Sequence, residues 1–171
     1  MSPEMTPALA SWRAMRPDDL SQVNAIADRV HEEYPEDPMV FTERLQLFPQ
    51  GSRVAERAGE VIGYAVAHPW HLLPPPLDSQ LIALPERVEC LYLHDVALLP
   101  ATRGARLGEA LVIYLTDLAR QIEAPRLALT AVYETPRYWS RFGFSAYQTP
   151  AIAEKLASYS ATATFMVRKV D

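Results

Sequence analysis

Apolar positions along the chain change period several times, and each change marks an element. Ser11–Met15 reads as a short strand, closed by Arg16-Pro17-Asp18-Asp19. Leu20, Val23, Ile26/Ala27, Val30 and Tyr34 then recur in steps of 3 and 4, the spacing of an amphipathic helix, which Pro35 and Pro38 interrupt. Val40, Phe41, Leu45 and Phe48 predict a shorter helix ending before Pro49-Gln50-Gly51. Arg53–Arg57 and Val61–Ala67, joined by Ala58-Gly59-Glu60, read as a hairpin. The pattern dissolves from Pro69 to Arg87, where Pro69, Pro74, Pro75, Pro76 and Pro85 argue against a central strand or mid-helix. Val88–Leu99 is the longest strand candidate. Leu107, Ala110/Leu111, Tyr114/Leu115, Leu118/Ala119 and Ile122 form the clearest helical stripe. Arg126–Val132 reads as a strand and Pro136–Phe142 as a short helix ended by Gly143; Phe144–Tyr147 and Thr162–Val170 read as final strands. Strands alternating with helices before a strand-rich tail predict a mixed α/β class with one sheet.

Composition narrows the picture. With 171 residues, 49% hydrophobic and 22% charged, the chain suits one folded domain, residues 1–171, behind a loose lead-in over residues 1–10. A net charge of −5 disfavours a nucleic-acid partner, which needs a basic footprint. Cys90 is the lone cysteine, so no intrachain disulfide forms, and no Cys/His set has metal-site spacing. The longest uncharged stretch, Val61–Leu77, carries four prolines and two histidines and is no membrane span. No apolar leader follows the N-terminus, and the expected location is the cytoplasm. Of the 15 prolines, five fall in the Pro-rich insertion at 69–87, whose apolar residues predict a loop packed on something: a functional loop or a structural crossover.

The sharpest chemical signal lies between the long strand and the striped helix, in Leu98-Leu99-Pro100-Ala101-Thr102-Arg103-Gly104-Ala105-Arg106-Leu107-Gly108-Glu109. The first N–H groups of a helix lack intrahelical partners and carry the positive end of its dipole. Glycines there let a phosphate approach the backbone, and Arg103 and Arg106 add charged donors. An ordinary strand-to-helix turn with solvated arginines is the plain alternative. A Walker loop is excluded, because no Gly-Lys-Ser/Thr follows.

Arg103-Gly104-Ala105-Arg106-Leu107-Gly108 resembles the Arg/Gln-x-x-Gly-x-Gly/Ala signature of the GNAT superfamily of N-acetyltransferases. The resemblance spans most of the chain. Trp12–Leu20 is similar to that family's opening strand and helix, Val54-Ala55-Glu56 with Glu60–Tyr64 to its central hairpin, and Leu93–Leu98 to its fourth strand. Tyr138-Trp139-Ser140-Arg141-Phe142-Gly143-Phe144 is similar to its aromatic C-terminal helix and the Gly-Phe that follows. The resemblance implies a mostly antiparallel central sheet of about seven strands flanked by about four helices. It implies acetyl-CoA as cosubstrate, with pyrophosphate on the N–H groups of Gly104–Glu109 and the pantetheine arm on main-chain groups of Val96, Ala97 and Leu98. The Leu98 N–H is then a candidate oxyanion donor.

Two positions depart from the family pattern. Arg106 stands where the fourth signature residue is a glycine, as an obstruction or as a phosphate ligand. Trp139 stands where many members carry a tyrosine acid, which leaves Tyr138, one residue earlier, as the candidate, or as a packing residue. For the base, His94 and Asp95 are adjacent on a strand, so alternation lets at most one face the cleft easily. His94 shares parity with Val96 and Leu98, and an imidazole titrates in the right range; a satisfied, partly buried histidine is the alternative. Asp95 is then structural, and Glu89 a more distant candidate acting through water. The connection His31-Glu32-Glu33-Tyr34-Pro35-Glu36-Asp37-Pro38 borders the acceptor site in the family, and its four acidic side chains would attract a cationic amine, or are simply solvated. Trp70 and His71 supply the other expected wall. The acceptor is expected to be a small-molecule primary amine, with a protein N-terminus or lysine and a non-catalytic CoA-binding module as the alternatives; a strand-rich C-terminus also leaves a homodimer open.

Overall fold

The structure is a computed structural model and describes residues 9–32, 36–76, 79–100, 106–132, 135–160 and 162–171. Seven strands form one sheet: β1 (Ser11–Ala14), β2 (Ser52–Arg57), β3 (Glu60–Trp70), β4 (Cys90–Leu98), β5 (Arg126–Ala131), β6 (Ser145–Ala146) and β7 (Thr164–Lys169), in the order β1-β2-β3-β4-β5-β7-β6. Every pair is antiparallel except β4–β5. Around the sheet lie α1 (Leu20–Val30), α2 (Pro38–Leu47), α3 (Leu107–Gln121), α4 (Pro136–Ser140) and α5 (Pro150–Leu156). None of the described helices is long and apolar enough to cross a membrane.

Both faces of the sheet are covered. The apolar stripe of α3 (Leu111, Leu115, Leu118) packs on Ala65, Ala67, Leu91, Leu93, Leu127 and Leu129. On the opposite face Val23 and Ile26 of α1 and Phe41 of α2 pack on Val54, Tyr64, Val66 and Ala97. A third cluster joins Ile152 of α5 to Cys90, Tyr92, Ala128 and Phe165. Each large aliphatic side chain buried this way contributes about 1.5–3 kcal/mol. Arg13 of β1 binds both oxygens of Asp19 at 2.8 Å, which fixes the turn into α1 and holds the Asp19 carboxyl below its ordinary range.

The five α-helices among the described residues fit the expected number of about four; α5, which the apolar pattern did not mark, begins at Pro150 behind a Thr149 cap whose Oγ1 accepts from the Ile152 N–H at 3.1 Å. Two expectations need correction. The expected Pro136–Phe142 helix stops at Ser140. Strand β3 also runs through Pro69 to Trp70. The Trp70 carbonyl accepts from the Glu89 N–H, so the main-chain groups of Pro69 face the other edge, where β2 has already ended at Ser52 opposite Val66. A missing N–H costs nothing there, and the Pro69 carbonyl lies 3.0 Å from His68 Nδ1.

The insertion is tied down at four of its described residues. Glu43 of α2 accepts from the Leu81 and Ile82 N–H groups, and Arg44 donates to the Ser79 carbonyl at 3.2 Å. Tyr159, beyond α5, donates to the Pro75 carbonyl.

Candidate active site

Strands β4 and β5 pair only from Leu91–Leu93 to Leu127–Leu129, and beyond that point they diverge. The register with β3 says which β4 groups face the opening. The Leu99 N–H donates to the Ile62 carbonyl at 2.9 Å, which makes Gly63–Leu98 a non-hydrogen-bonded pair. By alternation, the N–H and C=O of Leu98 and Val96 point away from β3 into the opening, while those of Ala97 are used within the sheet. Ala97 therefore offers no main-chain group to a ligand, and its side chain is buried against α1.

A cleft of about 350 Å³ fills the opening, with Leu93, Leu111 and Leu129 on its apolar side and Val96, Leu98 and Gly108 along its edge. At its rim α3 begins. The Ala110 N–H is the first to bond within the helix, to the Arg106 carbonyl at 3.1 Å, so the N–H groups of Leu107, Gly108 and Glu109 form the open end. Arg106 is exposed and adopts φ 54°, ψ 35°, the left-handed conformation that a glycine accepts readily. Arg103, Gly104 and Ala105 lie outside the described residues. An apolar slot edged by main-chain groups of β4 and ending at a helix N-terminus beside an arginine suits an extended acyl-carrying arm with a polyanionic end.

Tyr138 and Trp139 of α4 both line this cleft; Trp139 is nine-tenths buried with its ring on Phe144. The Tyr138 hydroxyl rests on Gly108: a Cβ there would lie 2.0 Å from it and 3.1 Å from Cζ. Burial, only partly offset by Arg141, raises the phenol above its ordinary 10.0, so the hydroxyl keeps its proton. Gly108→Ala should therefore push Tyr138 out of the cleft and cost about 1–3 kcal/mol despite alanine's better helix propensity. Adding Tyr138→Phe removes the nearest atom and should restore most of that loss in chemical denaturation.

The acid–base groups depart furthest from expectation. Val66 pairs with Asp95 and Ala67 with Leu93, so His94 is an extra residue, a β-bulge. The bulge resets alternation and turns His94 and Asp95 toward the same face, contrary to the parity argument. His94 Nε2 lies 2.9 and 3.0 Å from the two carboxylate oxygens of Glu36, and its side chain is 4% exposed. Asp95 accepts from the Tyr64 hydroxyl at 2.7 Å and pairs with His31 Nε2 at 2.8 Å. Burial alone would lower the His31 pKa; it is outweighed by the bond and charge of Asp95, the Val96 main chain and Glu36, leaving it above 6.5.

Two carboxylate–histidine pairs thus stand side by side, and they border a second chamber of about 60 Å³ completed by Tyr92, Thr130 and Tyr159. The chamber shares His31, His94 and Asp95 with the cleft. No group of His, Cys, Asp or Glu among the described residues is arranged to hold a metal ion. Sequence reasoning gives His31 and Tyr159 no individual role; for His31 the signal was its place at the start of the acidic connection expected to border the acceptor site. Glu33 and Tyr34 lie outside the described residues. Trp70 and His71 do not wall the site: Trp70 packs with Leu72 and Leu73 on the Tyr92–Ile152 cluster, and half-exposed His71 pairs with Glu89 at 3.6 Å. Glu89 lies at the far end of β4, away from both cavities.

The sequence matches the model of the acetyltransferase (GNAT) family over residues 12–144. No curated protein matches it by sequence. Among solved structures, Ard1 from Thermoplasma volcanium is similar at 18% identity and TM-score 0.71, over 95% of this chain and 98% of that one. N-acetylglutamate synthase from Neisseria gonorrhoeae, complexed with coenzyme A and N-acetyl-glutamate, is similar at 16% and 0.74, over 97% of this chain and 36% of that one. Arabidopsis thaliana Naa50, in complex with the bisubstrate analogue CoA-Ac-MVNAL, is similar at 12% and 0.66, over 94% and 98%. At such identities the structural likeness speaks for the fold, and the family match, running from β1 to the end of α4 and just beyond, speaks for the chemistry. The chain belongs to the GNAT family, an acetyltransferase with acetyl-CoA as its cosubstrate.

Proposed function

We propose that the chain acts in the cytoplasm, as a single domain, and acetylates a primary amine of a small molecule by direct attack within a ternary complex. Acetyl-CoA in the cleft supplies an activated carbonyl on a thiol leaving group. The Leu98 N–H is aimed to stabilise negative charge developing on the carbonyl oxygen. The N–H groups of Leu107–Glu109 and the guanidinium of Arg106 meet the anionic end. In this reading His94 takes the proton of the arriving ammonium, the Tyr138 hydroxyl protonates the departing sulfur, and the second proton that the nitrogen loses as the amide forms restores the phenol.

The observation that carries the small-molecule reading is the chamber of about 60 Å³ behind His94 and Asp95. It has room for a few water-sized groups. Tyr159, tied to Pro75 of the insertion, is part of its lining, which narrows the space open to a polypeptide acceptor. Thiol release from acetyl-CoA, measured on a panel of small primary amines and of peptides with free N-termini or lysines, tests this. A kcat/KM at least tenfold higher for a small amine is expected; the reverse order overturns the reading.

Arg106→Gly separates ligand from obstruction. Relief of the left-handed backbone, about 1–2 kcal/mol, is offset in part by glycine's larger unfolded-state entropy, so stability should rise by up to about 1 kcal/mol. Calorimetric affinity for acetyl-CoA should fall several-fold with the lost cation, whereas tighter binding would mark Arg106 as an obstruction.

A further inference from the structure

His94 is held by a carboxylate from outside the sheet. Glu36 lies on the connection between α1 and α2, 58 residues from His94 in sequence, and both its oxygens approach the same ring nitrogen, Nε2. An ionised carboxylate only accepts hydrogen bonds, so Nε2 carries the proton and the lone pair of the neutral ring sits on Nδ1. The neighbouring carboxylate does not compete, because Asp95 is engaged by His31 and by the Tyr64 hydroxyl. Each histidine has its own carboxylate. The other charged or titratable groups around Glu36 are His31, Tyr64, Tyr159 and the buried Arg44 of α2.

We infer that Glu36 is a positioning residue: by holding the Nε2–H of His94 it presents Nδ1 to the cleft as the atom that takes the acceptor's proton, and it supplies the counter-charge of the imidazolium that results. This rests on the proposed role of His94. The step balances simply. The ammonium N–H bond breaks, its electron pair stays on the amine nitrogen as the attacking lone pair, and the proton bonds to Nδ1. Ammonium, neutral His94 and Glu36 carboxylate sum to zero net charge before the transfer; neutral amine, imidazolium and carboxylate sum to zero after it. The proton therefore moves without creating net charge in a site where isolated charge is costly. Glu36 also attracts the ammonium first, which gives the acidic connection a narrower task than a general wall.

Histidine-¹⁵N NMR on the full chain, with His94 assigned by His94→Gln, tests the inference without any acceptor. The expected result is the Nε2–H tautomer for neutral His94. Glu36→Gln should shift that population toward Nδ1–H, because an amide can donate to Nε2, and should lower kcat about 10–100-fold while leaving the KM for acetyl-CoA unchanged. Glu36→Asp, which keeps the charge, should recover part of the loss and serves where the glutamine variant folds poorly. An Nδ1–H tautomer in the unsubstituted protein, or Glu36→Gln with unchanged tautomer and unchanged kcat, overturns the inference. Failure to acetylate any small amine would instead overturn the acceptor assignment, since the tautomer is read in the free protein.

Discussion

His94→Gln is expected to lose roughly 10²–10⁴ in kcat at neutral pH while still binding acetyl-CoA. Glutamine is close in size, and its side-chain N–H can donate to Glu36, so the buried carboxylate keeps a partner and the fold should persist. An amide cannot take a proton from an ammonium. The variant must then wait for the fraction of acceptor that arrives already neutral. Its rate should climb about tenfold per pH unit below the acceptor's own pKa, because the free-amine fraction does so. Single-turnover thiol release from pH 6 to 9 reads both effects. A rate equal to that of the unsubstituted protein at pH 7 would remove His94 from the mechanism, as would a variant rate that ignores pH. The cavities supply the control: His94 borders the chamber and the cleft, but the pyrophosphate end is proposed to lie at the start of α3, so acetyl-CoA affinity has no reason to follow kcat.

The half of the site that depends on local sequence was legible, and the half that depends on register was not. A helix stripe beginning just after Arg106 and a strand ending before Pro100 place free N–H groups at the head of α3 by local rules alone. Val96 and Leu98 followed from the same strand, although which of Val96, Ala97 and Leu98 shows its main chain to the cleft needed the pairing with β3. The bulge at His94 belongs to two strands jointly, so alternation read along one strand turned Asp95 the wrong way. Glu36 meets His94 across 58 residues of sequence, which no spacing encodes. Trp70 and His71 show the reverse error. An aromatic next to a Pro-rich run suggests a wall, but Trp70 is the last residue of β3 and its ring is needed to cover Tyr92 and Ile152. The insertion was legible as packed, while its attachments depend on the neighbours Glu43 and Arg44 of α2 and on Tyr159, far from the insertion in sequence on either side. Pro150 was readable in principle, since Thr149 followed by proline is a helix start, but a single buried residue, Ile152, left α5 without a stripe.

Asp95→Ala should be the most damaging substitution for stability near the site, costing about 3–5 kcal/mol. Asp95 holds two mostly buried partners, the His31 ring and the Tyr64 hydroxyl, and alanine leaves both without their acceptor. Tyr64 is fully buried in the cluster beneath α1, so water cannot take the lost oxygen's place. The His31 contribution carries a pH signature. Its folded pKa is raised above 6.5, so the folded state binds a proton more tightly than the unfolded chain does. Linkage then makes the stabilisation complete below the unfolded value of 6.5 and removes it as pH rises through the folded value. The gap between the unsubstituted protein and Asp95→Ala should be widest near pH 6 and should narrow as pH rises through the folded pKa of His31, toward what the Tyr64 bond and a neutral His31 bond leave. Tyr64→Phe offers the complementary control, because it removes the hydroxyl bond and leaves the His31 pair in place; its cost should not vary over the same range. Urea denaturation of the three proteins at pH 6 and pH 8.5 measures these gaps. An Asp95→Ala gap that is constant with pH would mean that His31 folds without its extra proton, and the pair would then be a neutral hydrogen bond instead of an ion pair.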